Sequence, residues 1–247
     1  MLTDMADELR AVLFDFDGTL GYYKPTHLEL YVTAAAAHGV TADLEALRTA
    51  VDAGWKPWET QYGVDHSAHS GSEAAFGAIR ALLHLGRYES AGVQGDAAVM
   101  QAIADDLVLL EADPKHFALY EDTVPALERV RAAGLRSYIV SNHIWRLPEA
   151  IDALGLGALV DGVLTSARVG YRKPHPEIFR QAAMMAGEDA SNLLYVGDNV
   201  AHDVRGAEAA GMRAVLIDRA AAASPASRRE ASADMVVVHS LMEVPLW

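Results

Sequence analysis

Apolar and polar positions change their rhythm along the chain. Residues 11–16, AVLFDF, open as an apolar run and then turn acidic, the pattern of a strand buried on both faces. Between residues 26 and 111 the apolar positions recur at helical spacing instead. Leu44, Leu47 and Val51 share one face, as do Phe76, Ile79, Leu82 and Leu83, and then Val99, Ile103, Leu107 and Leu110. Breaks near Gly39, Gly54, Gly71 and Gly92 separate these stretches, and no strand is expected among them. The longest break, GWKPWETQYGVDHSAHSGS at 54–72, is rich in Trp and His.

After Asp113-Pro114 helices and strands alternate. TVPALERVRAAG (123–134) has a Pro near its start and a closing Gly, the signature of a helix. LRSYIVSN (135–142) follows as a strand, LPEAIDALG (147–155) as a helix and GVLTS (162–166) as a strand. HPEIFRQAAMMAG (175–187) is a helix opened by Pro176, and NLLYVGD (192–198) a strand. DVRGAEAAG (203–211) is a helix, RAVLID (213–218) a strand, and ADMVVV (233–238) a last edge strand. The Ala-rich residues 220–233 read as a surface loop or frayed helix.

Such alternation predicts an α/β fold with a doubly wound parallel sheet. The helical block between the first and second strands is far longer than an ordinary connection. It is expected to be a separate helical cap at 21–114, inserted into a core formed by 1–20 and 115–247.

Composition narrows the function. The 247 residues are 51% hydrophobic and 22% charged, enough apolar content for a sizeable core and too much for a disordered chain. A formal net charge of -14 disfavours nucleic acid and anionic membranes as partners. The absence of cysteine excludes disulfides, thiolate metal sites and a Cys nucleophile. The opening MLTDMADELR lacks a basic start and an apolar stretch, and no apolar run approaches the roughly 18 residues of a membrane helix. A cytoplasmic protein, monomer or homodimer, is the expectation.

In open parallel sheets, ligands bind at the carboxyl ends of the strands. The first strand here ends in Asp15 and Asp17, which strand alternation would place on one face. The second ends in Ser141 and Asn142. Lys173, in GYRKPHPEIF, follows the third, and the fourth carries Asp198 with Asp203 five residues on. Taken singly, Ser141, Asp198 and Asp203 read as helix caps and Lys173 as exposed surface. Taken together they put four carboxylates, an ammonium, a hydroxyl and an amide at one crevice. Two close carboxylates repel, so a positive charge is expected between or beside them.

In these residues the chain resembles the haloacid dehalogenase (HAD) superfamily of hydrolases. Asp15-Phe16-Asp17-Gly18-Thr19-Leu20 resembles the first motif of that superfamily, Ser141-Asn142 the second and Lys173-Pro174 the third. Gly197-Asp198 with Asp203 resembles the fourth. The helical insertion resembles the cap of the subgroup whose lid follows the first motif. The resemblance implies a Rossmann-like HAD core and a Mg²⁺-dependent phosphatase acting on a small phosphorylated metabolite. Asp15 would attack phosphorus and form an aspartyl-phosphate. Mg²⁺ would be held by Asp15, the backbone carbonyl of Asp17 and Asp198, with Asp203 as a further ligand or support. Asp17 would protonate the leaving oxygen and then activate water. Ser141 and Asn142 would bind the phosphoryl oxygens, and Lys173 would neutralise Asp15 and the phosphoryl group.

Lid candidates for substrate contact are Lys24, Trp55, Lys56, Trp58, His66 and His69, with His143 and His202 beside the crevice. Packing is the competing role for the tryptophans, and solvent exposure for the histidines. Gly21-Tyr22-Tyr23-Lys24 departs from the flap of many relatives, so no familiar substrate transfers. A 2-haloacid dehalogenase or a phosphomutase of the same superfamily is the alternative. Dehalogenating relatives lack an acid at the position of Asp17. A non-catalytic, receiver-like phospho-acceptor is the remaining class, disfavoured by the large lid.

Overall fold

The computed structural model describes residues 8–54, 56–219 and 235–246. Its centre is a six-stranded sheet in which every pairing is parallel. In chain order the described elements begin with β1 (Ala11–Phe14) and β2 (Gly21–Tyr23). Next come α1 (His27–Ala37), α2 (Leu44–Asp52), α3 (Lys56–Gln61), α4 (Glu73–Ser90) and α5 (Ala97–Ala112). There follow β3 (Phe117–Leu119), α6 (Thr123–Ala132), β4 (Arg136–Ser141), α7 (Leu147–Ala153) and β5 (Gly162–Thr165). The chain continues through α8 (Ser166–Val169), α9 (Pro176–Ala186), β6 (Leu193–Gly197), α10 (Arg205–Ala209), β7 (Arg213–Ile217) and β8 (Val237–Val238).

The order across the sheet is β5-β4-β1-β6-β7-β8, so β1 lies between β4 and β6, which carry the second and fourth motifs. Residues 11–14 are buried on both faces. Val12 and Phe14 join one apolar layer with Leu127, Ile151 and Val215, while Ala11 and Leu13 join the other with Ile178, Phe179 and Tyr195. This two-sided burial is what a non-alternating apolar strand requires.

Between α1 and α5 the described residues of the insertion are helical, as their periodicity predicts. Its helices start on polar caps: Thr26 with Glu29 in a reciprocal box, Asp43, Ser72 and Asp96. Leu30, Tyr31, Leu47, Tyr88, Ile103 and Leu107 form its own apolar cluster. Leu82 is a correction: it is exposed, because the buried face of α4 runs through Phe76, Ile79 and Leu83. The break at 54–72 holds α3 and a 3₁₀ turn at Ser67–His69.

One element escaped the sequence pattern. β2 and β3 pair antiparallel, Tyr22 opposite Ala118, and form a two-stranded ladder at the root of the insertion. Each strand has three residues, too few for periodicity to register. The edge strand at 233–238 is seen as Val237–Val238 beside β7, while 233 and 234, like the Ala-rich segment 220–233, lie outside the described residues. Among the described residues no helix is long and apolar enough to cross a membrane.

Candidate active site

Asp15 leaves β1 with its N–H bonded to Val196 O (2.9 Å), and its side chain is buried. β1 stops at Phe14, so strand alternation does not bring Asp15 and Asp17 together as expected. A tight turn does this: Leu20 and Gly21 N–H both bond Phe16 O, and Gly18 N–H bonds Gly21 O (2.8 Å). Gly18 has φ +77°, and a Cβ there would meet Asp198 Oδ2 at 2.3 Å, so only glycine allows this close approach. The turn leaves Asp17 accessible at the mouth of the crevice.

The remaining motif residues converge on the same point. Ser141 ends β4 and is buried. Asn142 ties the second motif to the third: its amide donates to Lys173 O (3.0 Å) and its carbonyl accepts Lys173 N–H (2.7 Å). Lys173 is 3% exposed, far from the surface lysine that isolated reading favours. Its Nζ lies 2.8 Å from Asp15 Oδ1 and 2.6 Å from Asp203 Oδ1, and donates to Tyr195 Oη (2.8 Å) and Val140 O (3.2 Å). Asp203 sits in a π-helical turn, Val200–Val204, that packs it under β6; its Oδ2 accepts Asn199 N–H (3.0 Å). Gly197 makes room, since a Cβ there would fall 2.4 Å from the Asp203 carboxyl.

The electrostatics of this cluster are unbalanced. Carboxylate oxygens of Asp15, Asp198 and Asp203 all lie within 4.8 Å of one another. Desolvation in the cleft and the neighbouring Asp15 charge push the Asp17 pKa up to about 7. Burial, then Asp15, Asp203 and Asp17, push Asp198 up to about 8. Burial also raises Asp203, against the pull of Lys173. Burial alone would lower the Lys173 pKa, but Asp15 and Asp203 raise it, so it stays an ammonium. A single ammonium does not neutralise this set of acids. The missing charge matches a hard divalent cation, and the oxygen-only donor set fits Mg²⁺.

Tyr195 is a residue the sequence reading missed. It is fully buried on β6, and its hydroxyl bonds Val140 O (2.5 Å) while receiving Lys173 Nζ. A tyrosine among aliphatics in a buried strand was the available signal, since a buried hydroxyl needs a partner.

The lid candidates fare differently. Trp55 and the side chain of Lys56 lie outside the described residues, and Lys24 is exposed. Trp58 is buried against Phe76, Ile79, Leu83 and Ala167, a packing role. His66 is 2% exposed rather than solvent-facing, with its ring bonded to Ser166 O (2.9 Å); His69 is half-buried against Tyr62. His202 is exposed. His143 is buried among Phe16, Tyr23 and Phe117, and burial pushes its pKa down to about 3, so the ring is neutral.

A cleft of about 900 Å³ opens beside Asp17, walled by Tyr22, Tyr23 and Tyr120, with His27 from α1 and Arg219 from the end of β7. Arg219 is held by Asp122 (2.8 Å) and Thr19 O (2.7 Å).

Comparison with known proteins shows the family. A family model for haloacid dehalogenase-like hydrolases matches residues 9–211. Haloacid dehalogenase-like hydrolase domain-containing protein 3 of Homo sapiens is 30% identical over 224 residues, 90% of this chain and 86% of that protein. Ribulose-1,5-bisphosphate 5-phosphatase of Halopiger xanaduensis is 31% identical over 213 residues, 84% of each. The magnesium-bound structure of the HAD-hydrolase YfnB from Bacillus subtilis superposes with a TM-score of 0.67 over 96% of both chains, at 16% identity.

Proposed function

Since the chain belongs to the haloacid dehalogenase-like hydrolases, we propose that it is a Mg²⁺-dependent phosphatase of small phosphorylated metabolites, working through an aspartyl-phosphate. The observation that carries this reading is Lys173 Nζ bridging Asp15 and Asp203 beside Asp198, in a cluster whose acids still lack positive charge. Support also comes from similar proteins named as phosphatases of phosphoserine, glyceraldehyde 3-phosphate and a sugar bisphosphate.

In this mechanism Asp15 attacks phosphorus, and the bond to the leaving oxygen breaks as the acyl phosphate forms. Asp17 delivers its proton to the leaving oxygen. Burial and the neighbouring Asp15 charge hold its carboxyl above the usual range, which suits it to keep a proton to give and then to take one from water. The activated water displaces phosphate from Asp15 and restores the carboxylate. Lys173 holds Asp15 in place and neutralises the transferring group, as Ser141 and Asn142 hydrogen-bond its oxygens. Mg²⁺, held by Asp15, the Asp17 carbonyl, Asp198 and Asp203, would supply charge that lets a dianionic phosphate approach these acids. Residues 21–114 serve as a cap that excludes water and selects the leaving group.

The test is hydrolysis of p-nitrophenyl phosphate by the purified protein. Activity lost with EDTA, restored by Mg²⁺ and abolished in Asp15→Asn is the expected result. Metal-independent halide release from a 2-haloacid, without phosphate release, would overturn the reading in favour of dehalogenation.

A further inference from the structure

Tyr22 and Tyr120 build one aromatic wall at the mouth of the crevice. Tyr22 pairs with Ala118 across the β2–β3 ladder, and Tyr120 lies two residues beyond Ala118, so the two tyrosines are diagonal neighbours on one face. The Tyr120 N–H donates to Leu20 O (3.1 Å), which carries the pairing that far. The ring centroids are 4.9 Å apart and the planes meet at 47°. The Arg219 guanidinium lies over the Tyr120 ring, 3.7 Å from its centroid, and backs the wall. Both tyrosines are half-buried and line the cleft of about 900 Å³, as does Asp17. The side chain that would protonate the leaving oxygen faces the same space as the wall, so the leaving group belongs in this cleft.

Most polar side chains around the cleft are already engaged within the protein. Arg219 gives Nη2 to Asp122 (2.8 Å) and to Thr19 O (2.7 Å), and Nε to Thr19 O (3.1 Å). Asp122 also accepts the Ser240 hydroxyl (2.8 Å) and Leu241 N–H (2.8 Å). The Tyr23 hydroxyl donates to Glu111 O (3.3 Å), the Thr26 hydroxyl to Glu29 (2.7 Å), and the His27 ring meets the Glu111 carboxylate. Both basic side chains of the described lining, Arg219 and His27, therefore have carboxylate partners. Among the described lining residues, the polar groups left over are the Asp17 and Glu121 carboxyls and the hydroxyls of Tyr22 and Tyr120. A second phosphate or a carboxylate on the leaving group would meet acids here and no unmatched base. A polyol would find few free partners for its hydroxyls. A flat uncharged ring needs only aromatic faces, which the wall supplies.

We propose that Tyr22 and Tyr120 select phosphate monoesters whose leaving group carries an uncharged planar ring, an arene or a nucleobase, stacked on this wall. The proposal rests on the phosphatase reading of the Asp15 site, with Asp17 as the acid.

The experiment compares kcat/KM, with Mg²⁺ present, within two pairs of substrates whose leaving groups are primary alkoxides. Adenosine 5′-monophosphate is set against ribose 5-phosphate, and benzyl phosphate against glycerol 3-phosphate. The ring-bearing member is expected to lead by about ten- to a hundredfold, the factor that stacking on an aromatic side chain contributes, mainly through KM. Tyr22→Leu should remove most of that lead, and Tyr22→Phe, which keeps the ring, should retain it. A lead in one pair only supports the site and identifies the stacked ring as a nucleobase or an arene. Equal kcat/KM within both pairs, or no turnover of either pair while p-nitrophenyl phosphate is hydrolysed, overturns the ring site and leaves the phosphatase reading standing; that comparison uses the parent alone and needs no variant to fold. A lead that persists in both Tyr22→Leu and Tyr120→Leu also overturns it, because the ring then binds elsewhere. No hydrolysis of any of these substrates, p-nitrophenyl phosphate included, overturns the phosphatase reading itself.

Discussion

Two clusters of acidic and basic side chains are put to opposite ends. In the helical insertion, Glu111 is fully buried and ringed by Arg80, His84 (3.2 Å) and His27. Burial opposes its ionisation, but Arg80 and the imidazoles outweigh burial and hold its carboxyl well below the usual range. His84 is pushed down to about 4 by burial, so it is neutral: its Nε2 donates to Glu111 and its Nδ1 accepts the Tyr31 hydroxyl. In the crevice the balance is reversed, and Asp17 and Asp198 are raised to about 7 and about 8. A carboxylate with its cations in place is a joint between helices. A set of carboxylates around one ammonium keeps an excess of negative charge, which a hard cation would relieve. The direction of the shift distinguishes the two, whereas burial does not.

The largest expected effect separates chemistry from architecture. Asp15→Asn should cut turnover by roughly a thousandfold or more while the melting point stays near the parent's. Retained turnover would remove Asp15 as the nucleophile. Glu111→Gln should do the converse and destabilise the fold by about 3 kcal/mol, since Arg80 would be left buried without its partner. Calorimetry showing a loss below about 1 kcal/mol would mean that this cluster is not a structural joint.

Acid sharpens the contrast. The folded pKa of His84 lies below its ordinary 6.5, so the unfolded chain binds the proton first. Stability is therefore lost as pH falls from 6.5 towards 4, by at most about 3 kcal/mol, and Glu111 adds to the loss only at lower pH. Denaturant titrations across this range should show that limb, and His84→Asn should flatten it; an identical limb in the variant would exclude His84 as its source. Asp198 has the opposite sign. Its folded pKa is raised from 3.8 to about 8, so the metal-free protein loses stability as pH rises through that interval. The smallest expected effect follows: at pH 8 without metal, Asp198→Asn should raise the melting point by about 3 °C, and added Mg²⁺ should stabilise the parent more than the variant. A lower melting point for the metal-free variant would show that Asp198 is already satisfied.

Much of the catalytic core was legible in advance. The parallel sheet followed from uninterrupted apolar strands alternating with capped helices, and the polar residues at their carboxyl ends marked the crevice. Lys173 alone looked like surface, and only its place among the other strand ends argued otherwise. Glu111 left a trace that went unread: it stands four residues beyond Leu107, which is itself four beyond Ile103, on a buried stripe where an acid has no apolar reason to be. The β2–β3 ladder left no local signal, being held by partners 94 to 98 positions apart in the chain.

By itself the sequence determined the order of strands and helices, the acids and the lysine at the strand ends, and the excess of negative charge in the crevice. These are local properties, written in spacing and residue type. Only the tertiary structure decided which charges are matched. Glu111 meets Arg80 from a neighbouring helix, and Lys173, in the loop before α9, reaches Tyr195 on β6 and Asp203 in the turn that follows β6. Desolvation and Coulomb energy depend on distances through space, and the folded arrangement of the elements sets those distances.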